Sequence, residues 1–369
     1  MYKNLAAAFA AACCFLAFAV FSVGAQTPPP LKVGFVYVTP LTDAGWVHQH
    51  DEGRKAMLAA LNRPGLPARV TSTFVENVAE GPDAERVIRD LARQGHKLII
   101  TPSFGYMEPT LTVAREFPDV RFESITGYKT AANVAIANAR YYEGRYLAGI
   151  AAGRMTRSHL VGYVAGFPIP EVVQGINAFT LGMRSVDPKA QVRVIWLQSW
   201  FDPARERDAA MVLMDQGADV LAFHTASNAV MVAAQQRGKL AVAYHSDMRS
   251  VAPQAQIVSV KHEWGAYYTR RARAVLDGSW SSGSVWGGIR EGMIQVGDFG
   301  PRVGSAVREE VRARQQEIAE GRLHPFYSLH GVRDNAGKTV IAAGQTLSDQ
   351  EILAMNWLVE GVTAQPPRR

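Results

Sequence analysis

The sequence contains the same α/β unit twice, at a constant spacing and without gaps over about fifty residues. The positions that correspond at a spacing of 122 residues are Gly53 with Gly175, Gln94-Gly95 with Gln216-Gly217, and Ser103 with Thr225. Two similar open α/β lobes that face each other create one cleft, and ligands of such sheets bind at the carboxyl ends of the strands. The repeat therefore predicts a two-lobed clamp.

The elements around this repeat indicate parallel sheets, because strands and helices alternate along most of the chain. The first strand of each copy, Val33–Val36 and Val161–Val164, lies at a larger spacing of 128 residues, so the first copy has six extra residues in the following loop. Beyond Trp264 the pattern changes to a Ser/Gly-rich stretch and an alternating edge strand. Two peripheral helices are predicted over Arg308–Glu320 and Asp349–Val362.

The first 25 residues have the features of a cleaved signal peptide. Lys3 precedes an apolar run from Leu5 to Val23, and Val23-Gly24-Ala25 offers small residues at the −3 and −1 positions of a cleavage site. An uncleaved transmembrane anchor is the alternative, because the run approaches the length that spans a bilayer. A lipid anchor is not favoured, since Cys13 comes too early in the apolar run. We expect a chain that is secreted into the periplasm.

The composition excludes several classes of protein. Both cysteines, Cys13 and Cys14, lie in the leader, so the mature chain has no thiol for a disulfide, a nucleophile or a thiolate metal site. The formal net charge of +6 is dispersed over the chain, and its densest cluster is Arg270-Arg271-Arg273. Because a nucleic-acid surface needs a longer basic stripe and a recognisable module, no nucleic-acid partner is expected.

Catalytic and cofactor motifs are lacking in the sequence. It contains no G-x-S-x-G, H-E-x-x-H, G-x-x-x-x-G-K-[ST] or strand-borne G-x-G-x-x-G pattern. His48 and His50 are too isolated to predict a metal site, and a solvated or ligand-contacting role is favoured for them. The sequence therefore predicts no catalytic residue, no cofactor and no metal.

Aromatic residues recur where the predicted strands end, which is where a cleft would lie. They are Trp46, Phe104, Tyr106, Phe167, Trp200 and Trp264. Flat π faces at such positions suit a planar heterocycle, although packing between lobes explains any single one of them equally well. His224 and Tyr106 could add polar contacts to the same ligand.

Two acidic residues are candidates for reading the polar edge of a ligand. Asp247 follows a predicted strand on the cleft side, where its carboxylate could accept hydrogen bonds from an exocyclic amine and a ring N–H. Asp43 lies in the enlarged loop after the first strand. Both residues also fit the role of a turn or helix cap.

Several long blocks resemble the basic membrane protein family, which comprises substrate-binding proteins of ABC transporters. The blocks include KVGFVYVTPLTDAGWVHQHDEGRKAM, EGPDAERVIRDLARQGHKLIITPSFGY and VGYVAGFPIPEVVQGINAFTLGMRSVDP, and the resemblance spans roughly residues 31 to 300. It implies an α/β fold of type I periplasmic binding proteins, with two Rossmann-like lobes joined by three crossovers. It also implies delivery of a ligand to an inner-membrane ABC permease.

The resemblance implies crossovers near Asn138, Val258 and Gly288. The signal peptide would then be residues 1–25. The N-terminal lobe would be residues 31–138 plus about 259–288, the C-terminal lobe residues 139–258 plus about 289–362, and residues 363–369 a disordered tail. We expect the clamp to act as a monomer.

The sequence departs from the nucleoside-binding members of this family. Trp46 and Val47 stand where those members have Phe and Asn, which puts the ribose contact in doubt. The blocks FPIPEVVQGINAFTLG and WFDP resemble a subgroup associated with adenine or a similar free base. By this resemblance Trp46, Phe104, Phe167, Trp200 and Asp247 are pocket residues.

The sequence as a whole predicts a binding protein that closes on a purine-like ligand by hinge bending, with a free base favoured over a nucleoside. One alternative is an exported enzyme that acts on nucleosides, but the dispersed Asp and Glu residues offer no convergent acid/base set. A second alternative is a sensory adaptor with the same clamp. The exact ligand stays open.

Overall fold

The computed structural model describes residues 29–364, and the predicted signal peptide lies outside these residues. Through the first repeat the elements are β1 (Leu31–Val36), α1 (Trp46–Leu61), β2 (Val70–Val75), α2 (Pro82–Arg93), β3 (Leu98–Pro102), α3 (Met107–Glu116), β4 (Arg121–Ile125), β5 (Val134–Ala139) and α4 (Tyr141–Met155). A short 3₁₀ turn, Phe104–Tyr106, follows β3.

The second repeat continues with β6 (Leu160–Ala165), α5 (Pro170–Val186), β7 (Gln191–Trp196), α6 (Pro203–Asp215), β8 (Val220–His224), α7 (Ala229–Gln236), β9 (Leu240–His245) and β10 (Gln256–His262). The remainder contains α8 (Gly265–Asp277), β11 (Ser284–Gly287), β12 (Ile294–Gly297), α9 (Ser305–Ala319), β13 (Tyr327–Ser328), β14 (Val332–Arg333), β15 (Thr339–Ile341), β16 (Gln345–Thr346), α10 (Asp349–Leu353) and β17 (Val362–Ala364).

The strands form two large sheets of similar topology. The first has the order β11-β5-β4-β3-β1-β2 with every neighbouring pair parallel. The second has the order β12-β10-β9-β8-β6-β7-β17 and is parallel except for its edge strand β12. Strands such as β8 and β9 are buried along their whole length, which explains their continuous apolar sequence. The predicted α/β fold with two Rossmann-like lobes is confirmed.

The predicted repeat has a direct structural counterpart. Shifting β3 by 122 residues gives the bounds of β8, and shifting α2 gives those of α6 to within one residue. The two glycines that match at this spacing, Gly95 and Gly217, follow the ends of these helices with positive φ angles of 85° and 100°. Glycine suits this position because the left-handed conformation closes a helix without a Cβ clash.

The chain passes between the two sheets three times. The passages lie between Ala139 and Tyr141, between His262 and Gly265, and between Gly287 and Ile294. The second passage comes after His262, rather than near Val258, because β10 continues in the second sheet to that residue. Helix α8 packs on α1 of the first lobe, whereas α4 packs on α5 and α9 of the second.

Polar contacts fix the first and third passages to each other. Arg140 donates from Nε to the Trp286 carbonyl oxygen at 3.3 Å and pairs through Nη2 with Asp349 at 2.6 Å. Glu143 accepts a 2.7 Å hydrogen bond from the Ile289 backbone N–H. The last segment of the chain therefore contacts the first passage through Asp349.

This last segment differs from the predicted helix over Asp349–Val362. Only Asp349–Leu353 is helical, with a capping box formed by Ser348 and Glu351. Strand β17 instead pairs in parallel with β7 at the edge of the second sheet. The Ser/Gly-rich stretch likewise contains an edge strand, β11. Within residues 29–364, no helix is long and apolar enough to cross a membrane.

Small residues allow α4 and α5 to approach closely. A Cβ on Gly149 would overlap the carbonyl oxygen of Phe179, and a Cβ on Gly182 would overlap that of Tyr146. Because the obstacle is backbone in both cases, a side chain cannot be accommodated by a rotamer change. The contact between these helices therefore depends on glycine at both positions.

We expect Gly149→Ala to destabilise the protein by about 3 kcal/mol, at the upper end of overpacking effects, since the two helices must separate. Gly283→Ala is the control, because nothing lies within 4 Å of a Cβ at Gly283 and its φ is not positive. Urea denaturation of both variants measures the difference. Equal stability of the two variants would contradict the close-packing argument.

Candidate functional site

A cavity lies between the two lobes at the carboxyl ends of their strands. Its open space, including the mouth toward solvent, is about 450 Å³. Its lining comes from loops after β1, β3, β4, β7 and β8, from the end of β9 and from the starts of α1 and α5. The lining residues are Val38, Trp46, Ser103, Phe104, Thr126, Ile169, Glu171, Trp200, His224, Thr225, Ala226 and His245.

The lobes touch each other beside this cavity. The backbone N–H of Gly45 in the first lobe donates to Ser246 Oγ in the second at 3.0 Å. Gln49 Nε2 of α1 donates to the His262 carbonyl oxygen at 2.9 Å. A Cβ on Gly45 would overlap the Ala226 carbonyl oxygen, so this approach requires glycine. The structure thus has a narrow cleft with contacts across it.

Unusual backbone conformations mark the strand ends at the cleft. Asn77, Thr126, Gln198 and His245 have φ angles of 56°, 66°, 54° and 71°. Asn77 and Gln198 follow β2 and β7, and Thr126 and His245 occur at the ends of β4 and β9, so these positions correspond in the two lobes. Asn and His adopt left-handed φ more often than most residues, but for β-branched Thr126 it is unfavourable and persists because surrounding contacts enforce it.

The aromatic residues present rings that are held in place. Trp46 Nε1 donates to the Pro102 carbonyl oxygen at 2.8 Å, and the Trp46 ring lies 5.5 Å from that of His245. Trp200 packs against Phe167 at a centroid distance of 4.9 Å. Phe104 is half-buried and lies 6.0 Å from Tyr128. Both lobes therefore contribute aromatic surface to the cavity.

Glu171 is the carboxyl group of the cavity lining. It is the second residue of α5, and its side chain is only 12% exposed. Oε2 accepts a 3.1 Å hydrogen bond from Asn138 Nδ2, and Oε1 lies 3.7 Å from His224 Nε2. Burial raises the pKa of Glu171 to about 7, against the opposing effects of the Asn138 hydrogen bond and the Arg145 charge.

Four buried histidines lie at or near the cavity: His224 and His245 line it, and His262 packs against both His245 and His50. Burial lowers the pKa of each, and neighbouring imidazoles add to the effect at His50, His245 and His262. Nδ1 of His245 lies 3.1 Å from Nε2 of His262, and Trp264 Nε1 lies 2.5 Å from the other nitrogen, Nδ1, of His262. The imidazoles are therefore neutral at physiological pH.

These four histidines are not arranged as a metal site. In the part of the chain that the structure describes, no group of three or more His, Cys, Asp or Glu side chains is placed to hold a metal ion. Arg145 is fully buried near His224 and stacks over Tyr244 at 3.2 Å from the ring centroid. A cation in this position also disfavours a bound metal ion.

Comparison with known proteins agrees with this geometry. The sequence profile described as "Bmp: ABC transporter substrate-binding protein PnrA-like" matches residues 31–324. The chain belongs to this family. The resemblance inferred from the sequence is therefore confirmed. Substrate-binding proteins of this kind lie outside the cytoplasmic membrane, where they bind a small molecule and work with a membrane permease.

Two relatives cover most of the chain. The chain is 47% identical over 346 residues to the purine-binding protein BAB2_0673 of Brucella abortus, a match that covers 93% of this chain and 96% of the relative. It is 34% identical over 337 residues to the putative ABC transporter glucose-binding protein TsgA13 of Haloferax volcanii, a match that covers 91% of this chain and 81% of that relative.

Among solved structures, the chain is similar to a solute-binding protein of an ABC transporter system from Aeropyrum pernix K1. The TM-score is 0.66 at 19% identity, and the similarity covers 89% of this chain and 98% of that chain. At this level of identity the likeness concerns the fold. It supports the type I periplasmic binding protein architecture.

The structure brings four of the residues predicted from the sequence to the cavity. Trp46, Phe104, Trp200 and His224 all line it. Phe167 lies next to it, in a more open groove that shares Val38 and Trp200 with the cavity. Each of these five residues ends a strand, follows one or begins a helix, as the repeat implies.

The structure places the other four predicted residues away from the cavity lining. Tyr106 is buried in the first lobe, where its hydroxyl donates to the Val78 carbonyl oxygen at 2.6 Å. Trp264 is buried behind His262, and Asp43 is exposed. Asp247 is half-buried and accepts hydrogen bonds from Arg249 and, at 2.9 Å, from Gln256 Nε2.

Asp247 is directed elsewhere for a local reason. Strand β9 ends at His245, whose left-handed backbone turns the chain before Asp247 is reached. Burial raises the pKa of Asp247, but hydrogen bonds from Arg249 and Gln256 outweigh it, so that the pKa is lowered overall. This carboxylate is therefore satisfied within its own lobe.

Sequence reasoning did not single out Glu171 or His245. A signal for Glu171 was present in Ile169-Pro170-Glu171, where proline begins a helix directly after a strand-end loop. A carboxylate in the first helical turn is more often explained by the helix dipole, which hides its position in the cavity. His245 is the last residue of its strand and could have been chosen on the same grounds as His224.

The raised pKa of Glu171 predicts a pH-dependent effect on stability. Between about pH 4.5 and 7 the carboxyl ionises in the unfolded chain but stays protonated in the folded one, so its contribution to stability is lost as pH rises through that range. The stability of ligand-free Glu171→Gln relative to wild type should therefore rise by roughly 3 kcal/mol from pH 4.5 to 8.

Urea denaturation across this pH range measures the difference in stability between Glu171→Gln and wild type. The contributions of all other titrating groups cancel in this difference. Asp247→Asn is the matched control. Because the pKa of the Asp247 carboxyl is lowered in the folded protein, the contribution of this carboxyl to stability changes only below about pH 4. The stability of Asp247→Asn should therefore differ from that of wild type by a constant amount from about pH 5 to 8. A pH-independent difference for Glu171→Gln would refute the assignment.

Proposed function

We propose that this protein binds a purine-like small molecule, a free base such as adenine in preference to a nucleoside, and delivers it as a monomer to an inner-membrane ABC permease. The observation that carries the proposal is the cavity, which combines aromatic surface from both lobes with a buried carboxyl group. The purine-binding name of the Brucella relative supports the same ligand class.

The aromatic residues would hold the faces of the ring. Trp46 and Phe104 come from the first lobe and Trp200 from the second, so a planar ligand between them would contact both lobes at once. Phe167 packs against Trp200 and would fix its orientation. Stacking of a base on an aromatic side chain contributes about 1–3 kcal/mol.

Glu171 would read a polar edge of the base. A carboxyl group with a pKa near neutrality can accept a hydrogen bond from an exocyclic amine when ionised and can donate one when protonated. His224 lies close enough to share this edge. In this proposal Glu171 takes the role that the sequence suggested for Asp247, and the two carboxylates are distinguished by experiment below.

The proposal describes binding without turnover. Hydrolysis of a nucleoside requires an acid/base pair or a metal-activated water at the glycosidic bond. Within the described residues that line the cavity, Glu171 is the carboxyl group available. A sugar ligand is the second candidate, because the Haloferax relative is named as a putative glucose-binding protein.

Purified protein, unfolded and refolded to remove bound ligand, should be stabilised by adenine or a related base. A ligand that binds only the native state adds about 2.7 kcal/mol at 100 times its dissociation constant. Thermal shift and calorimetry with bases, nucleosides and glucose measure this effect. Stabilisation by glucose alone would support the sugar alternative, and release of base from a nucleoside would support an enzyme.

Matched alanine variants then distinguish the two carboxylates. Glu171→Ala should weaken purine binding by about 10- to 150-fold, because a charged hydrogen bond of about 1.5–3 kcal/mol is lost. Asp247→Ala should bind as wild type. The reverse result in calorimetry would return the role to Asp247. Uptake of labelled base by a deletion strain, complemented with each variant, separates transport from sensing.

We also propose that the chain is exported to the periplasm after cleavage behind Ala25. The support is the Val23-Gly24-Ala25 sequence and the outward location of ABC substrate-binding proteins in general. Cell fractionation with intact-mass measurement should find a chain that begins at Gln26. An uncleaved or acylated chain that is recovered only with detergent would contradict this proposal.

A further inference from the structure

The buried contact between Trp264, His262 and His245 determines where the protons of both imidazoles lie. An indole N–H can only donate a hydrogen bond, so Nδ1 of His262, which lies 2.5 Å from Trp264 Nε1, must be the accepting nitrogen. A neutral imidazole that accepts at Nδ1 carries its proton at Nε2. His262 is therefore a donor at Nε2.

The same reasoning extends to the next ring. Nε2 of His262 lies 3.1 Å from Nδ1 of His245, so His245 must accept at Nδ1 and carry its own proton at Nε2. The opposite assignment would direct the Trp264 N–H at a protonated Nδ1 of His262. Protonation of His262 at both nitrogens would create the same conflict, and burial lowers the pKa of this imidazole to about 3.

We propose that Trp264 and His262 act as positioning residues that make His245 an obligate hydrogen-bond donor to the ligand. His245 lines the cavity, and among the described residues its Nε2 has no hydrogen-bond partner. The site would thus select a ligand with an acceptor, an unprotonated ring nitrogen or a carbonyl oxygen, at the position that faces His245. This ligand preference rests on the proposed function, whereas the proton positions do not.

The surroundings keep His245 in this orientation. Its φ of 71° is a left-handed conformation, and its ring packs 3.7 Å from the Tyr244 ring and 5.5 Å from the Trp46 ring. Trp264 in turn stacks on Tyr268 at 5.8 Å with an interplanar angle of 19°. Rotation of His245 to present its other nitrogen would break the contact with His262.

The proton positions are tested on ligand-free protein by long-range ¹H–¹⁵N correlation of ¹⁵N-histidine at pH 7.5. His245 and His262 should both be protonated at Nε2 in the wild type, with resonances assigned from His245→Phe and His262→Gln. Trp264→Phe keeps an aromatic ring but removes the donor, and should shift both rings toward a mixture of tautomers. Trp280→Phe is the control, because Trp280 Nε1 donates instead to Glu123 at 2.7 Å.

The ligand preference is tested by calorimetry with adenine and its 1-, 3- and 7-deaza analogues, each of which replaces one ring acceptor by C–H. One analogue should bind wild type about 5- to 150-fold more weakly than adenine, as expected when a buried hydrogen bond is lost. In His245→Phe that difference should disappear, and in Trp264→Phe it should shrink. Trp280→Phe should retain it.

The outcomes separate this proposal from the proposed function. A proton at Nδ1 of His245 in wild type, or tautomers that do not change in Trp264→Phe, would overturn the proposal that Trp264 and His262 set the proton position of His245. A deaza difference that persists in His245→Phe would overturn the donor role. If no purine binds, the purine proposal fails. The tautomer measurement still tests how Trp264 and His262 position the His245 proton, because it needs no ligand.

Discussion

The structure depends on three short passages of chain that join its two large sheets. Each lobe is completed by elements from the other end of the sequence: α8 and β11 return to the first lobe after β10, and β12 and β17 complete the second. Any change in the relative position of the lobes would therefore require changes at these passages. Arg140 and Glu143 link the first passage to the third through hydrogen bonds with the Trp286 carbonyl oxygen and the Ile289 backbone N–H.

Polar side chains in the cavity and next to it are hydrogen-bonded to residues at the same passages. Asn138, next to the first passage, donates to Glu171, and Trp264, within the second, donates to His262. A change in the relative position of the lobes would alter the first of these hydrogen bonds, because Asn138 belongs to β5 of the first lobe and Glu171 to α5 of the second. A ligand that requires Glu171 and His245 in their present positions would thus favour the present arrangement of the lobes.

The fold could be predicted because the repeat constrains many residues at once. A constant spacing aligns β3 with β8 and α2 with α6, and strand-end positions then identify Trp46, Phe104, Trp200 and His224 as residues near one cleft. The direction of a side chain beyond a strand end could not be predicted in the same way. Asp247 comes only two residues after His245, but the left-handed turn at His245 and the partners Arg249 and Gln256 direct it elsewhere.

Glu171 and the Trp264–His262–His245 contacts illustrate a second reason why sequence alone does not predict the site. The proposed role of Glu171 rests on its burial against Asn138 and His224, which lie 33 residues before it and 53 residues after it. Trp264, His262 and His245 are close in sequence, but their chemical order follows from which nitrogen faces which donor. A buried imidazole can donate or accept with either nitrogen, and a donor-only indole at one end removes that freedom along the whole chain of contacts. The specificity of a cavity can therefore be set by a residue that does not line it.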